Sequence, residues 1–119
     1  MDHECTVRKT MEYLSKKWAI MILLELYKNN QSWKRFTQIR KAMKEVTAKI
    51  LSERLKELEA EGLIIKRVDA GAFPIKSEYK LTEMGVELVE VVKEIKVWAL
   101  KWKIENCACK NQDCSICIL

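Results

Sequence analysis

The 119-residue sequence predicts a mainly α-helical fold with a small β-wing (α+β), a winged helix-turn-helix with a long C-terminal dimerisation helix. Three observations point there. Residues 33–82 read in order as helix, turn, helix, strand, tight loop and strand. Residues 33–56 hold eight lysines and arginines against two glutamates, an excess of +6 that exceeds the +5 of the whole chain. Beyond Thr82 the chain is unusually apolar and helical in period: Leu88, Val92, Ile95, Ala99 and Trp102 recur at alternating steps of four and three.

Each element has its own signal. Cys5 to Leu14 reads as a first helix with Val7, Met11 and Leu14 on one stripe. Lys16 and Lys17 separate it from an apolar helix, Trp18 to Tyr27. A polar turn follows, and Ser32 is placed to cap a third helix from Trp33 to Met43 with Phe36, Ile39 and Met43 on one face. Thr47 suits the N-cap of the fourth helix. There Leu51, Leu55 and Leu58 fall on one side, and Lys49, Glu53 and Lys56 on the other. Gly62 is the expected C′ residue. Leu63–Val68 and Lys76–Leu81 are the wing strands, and Gly71 is expected to supply the turn geometry of the tip between Asp69 and Pro74. Thr82 should cap the last helix, which runs to about Asn106.

Two segments are expected: a DNA-binding and dimerisation domain over residues 1–106, and a cysteine-rich tail over residues 107–119. No run of apolar residues is long enough to cross a bilayer, and the N-terminus lacks a basic-then-apolar leader, so a cytoplasmic protein without a membrane partner is expected. In that compartment the five cysteines are expected to be reduced, metal-bound or redox-active. An enzyme is not expected: the chain has one histidine, near its end, and no Gly-rich phosphate loop. A small thiol or iron–sulfur redox protein and a winged helix used only for protein contact are the alternatives.

The ordered motifs resemble the HxlR-type regulators, a MarR-related branch of winged-helix transcription factors. They are Cys5 before the first helix, Lys17-Trp18 with Ile22 to Leu26, Arg35-Phe36 with Ile39, Val46-Thr47 through Leu63-Ile64, and Pro74 with Glu78 to Thr82 and Gly85. The likeness spans roughly residues 5–102. It departs at Lys16, where the family carries a small glycine, in the turn 29–33, and in the tail, which has no family counterpart. The resemblance implies a homodimer, a repressor more often than an activator, on a pseudo-palindromic double-stranded DNA operator. It also implies that Cys5 senses oxidants or electrophiles. Read from the residue alone, Cys5 is equally a buried small apolar side chain.

Recognition helices meet base edges with their N-terminal part. Thr47, Ala48, Lys49, Ser52 and Glu53 are therefore the base-edge candidates. Lys49 and Lys56 suit phosphates, as do Lys34 and Arg35 at the start of the third helix, with Lys76 in the wing. Arg67 is a further wing candidate, and Arg54 is a candidate for an ion pair within the domain. Leu88, Val92, Ile95, Trp98, Ala99 and Trp102 are the expected dimer seam.

The tail spaces Cys107, Cys109, Cys114 and Cys117 as C-x-C-x4-C-x2-C. Four thiolates in one short loop can close on an iron–sulfur cluster or on zinc, or can work as a metal-free thiol–disulfide switch; an inert tail is the remaining reading. The last helix is expected to aim this tail at the dimer interface or back towards the first helix.

Overall fold

The computed structural model describes residues 4–71 and 73–116, without the side chains of Cys107 and Ala108. Helices α1 (Thr6–Leu14) and α2 (Ala19–Tyr27) lead, through a tight turn at Asn29–Gln31, into a two-residue strand β1 (Lys34–Arg35). Helices α3 (Phe36–Ala42) and α4 (Ala48–Ala60) follow, then strands β2 (Ile64–Asp69) and β3 (Lys76–Leu81). Helix α5 (Glu83–Trp102), the short α6 (Cys107–Lys110) and a 3-10 turn (Cys114–Ile116) complete the order. This is the expected winged helix-turn-helix.

The core gathers on α2, where Ile22, Leu23 and Leu26 are fully buried and only Met21 is exposed. Ile39 of α3, the row Leu51, Leu55 and Leu58 of α4, Ile64 of β2 and Val89 of α5 close around it. The leucine row is the face expected for α4, because residues three and four apart stack on one side of a helix.

The caps behave as the sequence indicates. Thr47 Oγ1 accepts from the Ile50 amide at 3.2 Å, and Thr82 Oγ1 accepts from the Gly85 amide at 3.1 Å. Gly62 ends α4 with φ of +80°, a conformation open to glycine at little cost. Gly71 stands in the turn of the tip as expected, and its amide donates to Asp69 Oδ1 at 3.1 Å. Three expectations need correction. The third helix does not begin at Trp33: Lys34 and Arg35 pair antiparallel with Tyr79 and Glu78, giving the sheet order β1-β3-β2. Ser32 is therefore no cap; the Gln38 side chain accepts from the Arg35 amide at 2.8 Å instead. Helix α5 stops at Trp102, short of Asn106.

The tail turns back. Its 3-10 turn packs against α2 and the 29–31 turn, and Cys114 rests on the core. Two lysines of α5 hold it there. Lys93 Nζ lies 2.8 Å from Asp113 Oδ1, and Lys96 Nζ donates to the Gln112 carbonyl at 2.7 Å. Lys93 also donates to the Tyr27 hydroxyl at 2.8 Å, which donates to Glu90 Oε1 at 2.9 Å. Burial alone would push the Lys93 ammonium down, but the bonds to Asp113 and Tyr27 outweigh it and raise its pKa above the ordinary lysine value. The Lys93 ammonium, then the Ser115 hydroxyl and amide, hold the Asp113 carboxyl well below the usual carboxylate range.

Candidate nucleic-acid interface

Helix α4 presents one face to solvent while its leucine row anchors the other. Lys49, Glu53 and Lys56 are exposed, and Ala48 and Ser52 half-buried, along the side facing away from the core. Thr47 opens this face. Its oxygen is engaged as the cap acceptor, which leaves the hydroxyl proton available to donate. Five of the expected base-edge and phosphate residues thus stand on one helix at the spacing a groove requires.

Helix α4 is clamped from behind. Arg54 Nε donates to the Lys17 carbonyl at 2.9 Å, and its guanidinium meets Glu57 at 3.3 Å. Glu57 also pairs with Lys16 at 3.1 Å. These contacts tie α4 to the α1–α2 turn, where Trp18 adopts a left-handed φ of +79°. Arg54 is thus the intradomain ion-pair residue.

Lys34 is a correction. It is 8 % exposed, the one buried charged residue of the described chain, and its ammonium donates to the carbonyls of Leu26 at 3.2 Å and Lys28 at 2.6 Å. Burial pushes its pKa below the ordinary lysine value. It closes the C-terminal end of α2, whose last carbonyls lack partners within the helix, and has no reach to a phosphate. Its neighbour Arg35 is exposed and remains a phosphate candidate at the start of α3.

In the wing, Lys76 is half-buried opposite Asp69. Arg67 is committed to Glu78 at 3.1 Å and lies 4.2 Å over the Trp33 ring. Sequence reasoning missed this role of Trp33, which it placed in a helix; the cation–π stack fixes the wing against β1. It also missed the tip, where Phe73 is fully exposed and Ile75 largely so. Two apolar residues beside a proline in a turn carried a signal that went unused.

The expected seam is split. Leu88 packs on the core and Val92 faces a cleft beside α2, while Ala99 is half-buried. Ile95, Trp98 and Trp102 are exposed, with Val91 added to their row. These four fall within about 60° on a helical wheel. Val7 and Met11 of α1 are exposed as well, so the first helix shows most of its apolar stripe to solvent.

Cys5 is exposed and precedes α1 at its N-cap position, which removes the buried-side-chain reading. Cys109 and Cys114 are half-buried free thiols. Cys117 lies outside the described residues, as does the Cys107 side chain. Among the described residues no three cysteine, histidine or acidic side chains gather to hold a metal ion. No helix among them is long and apolar enough to cross a membrane.

Known proteins share this arrangement. Residues 13–106 match the family described as HxlR-like helix-turn-helix. YvaP of Bacillus subtilis, named as an uncharacterized HTH-type transcriptional regulator, is 39 % identical over 94 residues, which span 79 % of this chain and 83 % of that one. Among solved structures, the reduced form of the transcriptional regulator YodB from B. subtilis superposes with a TM-score of 0.72 at 31 % identity, covering 87 % of this chain and 98 % of the other. The redox regulator HypR in its oxidized form gives a TM-score of 0.66 at 31 % identity, covering 84 % and 99 %. The exposed recognition face, the wing and the long last helix are therefore those of a transcriptional regulator, and the chain belongs to the HxlR-like helix-turn-helix family.

Proposed function

We propose that two copies of this chain bind a pseudo-palindromic DNA site and repress transcription from it, and that the thiol state of the protein sets its affinity. The observation that carries the DNA reading is the outer face of α4. Thr47, Lys49, Ser52 and Lys56 stand free of the core on a helix that Arg54 and Glu57 brace from behind. Lys49 and Lys56 supply phosphate contacts, and each such contact releases counterions from the duplex. Lys49→Ala should weaken binding to all duplexes and lower the slope of log affinity against log salt by about one unit. An unchanged slope and affinity would remove α4 from the groove.

Dimerisation rests on the row Val91, Ile95, Trp98 and Trp102. Four large apolar side chains exposed along one helix face are more than a lone domain leaves in water. Two-fold pairing through them would set the spacing of the two recognition helices.

The thiol reading is supported by the exposure of Cys5, by the free Cys109 and Cys114, and by the redox states in which YodB and HypR are described. DNA affinity measured before and after treatment with a thiol oxidant tests it. Equal affinities sink it. Stoichiometric iron or zinc in protein purified without oxygen would replace it with a metal site on the tail.

A further inference from the structure

A cleft of about 630 Å³ opens between α2, the turn joining α3 to α4, α5 and the tail. Trp18, Met21 and Leu24 line it from α2 and Val92 from α5, and the tail closes the far side with the thiols of Cys109 and Cys114. Cavities of roughly 300–1,000 Å³ with mostly apolar walls hold drug-sized molecules. Lys28 pairs with Glu25 at 3.2 Å, and Lys44 and Glu45 bring opposite charges to the rim. Lys96 is the one cation in excess, and its ammonium donates to the Gln112 carbonyl of the tail.

We propose that this cleft binds a small uncharged apolar molecule, with the cysteine-bearing tail as its closing wall. All of its walls come from one chain, and it is separate from the exposed row of α5. Val92 lies about 90° around the helix from the middle of that row, so pairing of two copies through the row leaves the cleft open. The tail meets α5 through polar contacts of Lys93 and Lys96, so it can part from α5 while Cys114 stays on the core. An occupant also touches the turn 42–45, which leads directly into the Thr47 cap of α4. Any effect of the occupant on α4 in DNA rests on the function proposed above. The site itself does not, and the following assay contains no DNA, so the two readings fail separately.

The test uses the full chain and an uncharged fluorescent probe, N-phenyl-1-naphthylamine. Saturable binding of one probe per chain is expected. Met21→Arg, at an already exposed position, should weaken it on the order of tenfold by setting an unpaired charge in the apolar wall. Trp98→Ala should leave it unchanged. In the unmutated protein, bound probe should slow maleimide labelling of Cys109 and Cys114, read peptide by peptide, and leave Cys5 unaffected. Absence of saturable binding, loss of binding in Trp98→Ala, or unprotected tail thiols would overturn the proposal.

Discussion

Gly85→Ala should unfold this protein more readily, although it replaces a helical glycine with the best helix former. Gly85 sits in the first turn of α5, where its amide donates to the Thr82 cap. A Cβ there would lie 2.2 Å from the Leu63 carbonyl oxygen and 3.1 Å from Leu81 Cδ2, where ordinary contact begins at 3.4 Å. The obstacle is backbone, so α5 must move by about 1 Å or the carbonyl must tilt. That carbonyl accepts from the Thr82 amide at 3.1 Å, and tilting it breaks the bond that joins the wing to α5. Overpacking costs about 1–3 kcal/mol, and the upper end applies where backbone is struck. The lost hydrogen bond adds about 1 kcal/mol. Helix propensity returns about 1 kcal/mol at most. The net loss is about 3 kcal/mol, or roughly 10 °C in Tm for a chain of this size. Urea unfolding at fixed protein concentration would read it as a lower midpoint with unchanged slope. A midpoint that stays or rises would show that the α5–wing junction yields freely.

The remaining predictions concern single side chains. Lys34→Met should destabilise by about 1–3 kcal/mol, as two carbonyls lose a charged donor, while the salt slope of DNA binding stays fixed; a slope lowered by about one unit would return Lys34 to the phosphates. Because the folded pKa of Lys34 is depressed, the unfolded chain binds more protons between that pKa and 10.5, so the Lys34 contribution should raise stability with pH across that window and vanish in Lys34→Met. Asp113 also raises stability with pH, but in the acid range: its carboxyl is held low, so its hold on the tail should be complete above the usual carboxylate range and fail only as pH falls through its folded pKa. NMR titration of the Ser115 amide, 3.0 Å from Asp113, would follow this, and a midpoint at or above the ordinary value would refute the latch. Ile95→Glu should shift the protein from dimer to monomer in sedimentation, with little effect on its helix content, and an unmutated protein that sediments as a monomer would discard the α5 seam.

Legibility followed the range of the interactions. Local signals were read correctly: the leucine row of α4 and the Thr47 and Thr82 caps depend on residues within a few positions, and the wing strands on a single hairpin. Lys34 was misread because its burial is a long-range fact. Its strand exists only by pairing with Tyr79, distant in sequence, and no helical period reports that. The seam was misaligned for a related reason. Leu88 and Val92 satisfy the apolar spacing of α5, but whether they meet the core or solvent depends on how α2 and the tail lie against them. The return of the tail was invisible too, since Lys93 and Asp113 are ordinary surface charges until the chain reverses.

The placement of the tryptophans has a practical consequence. The chain contains four. Trp18 lines the cleft, Trp33 stacks under Arg67 on the wing, and Trp98 and Trp102 stand in solvent on the α5 row. Variants keeping a single indole would carry an optical reporter in one of three places: beside the cleft, under the wing or on the subunit seam. The events postulated for this protein, namely ligand entry, contact with DNA and pairing, would each be visible separately in intrinsic emission without an attached dye.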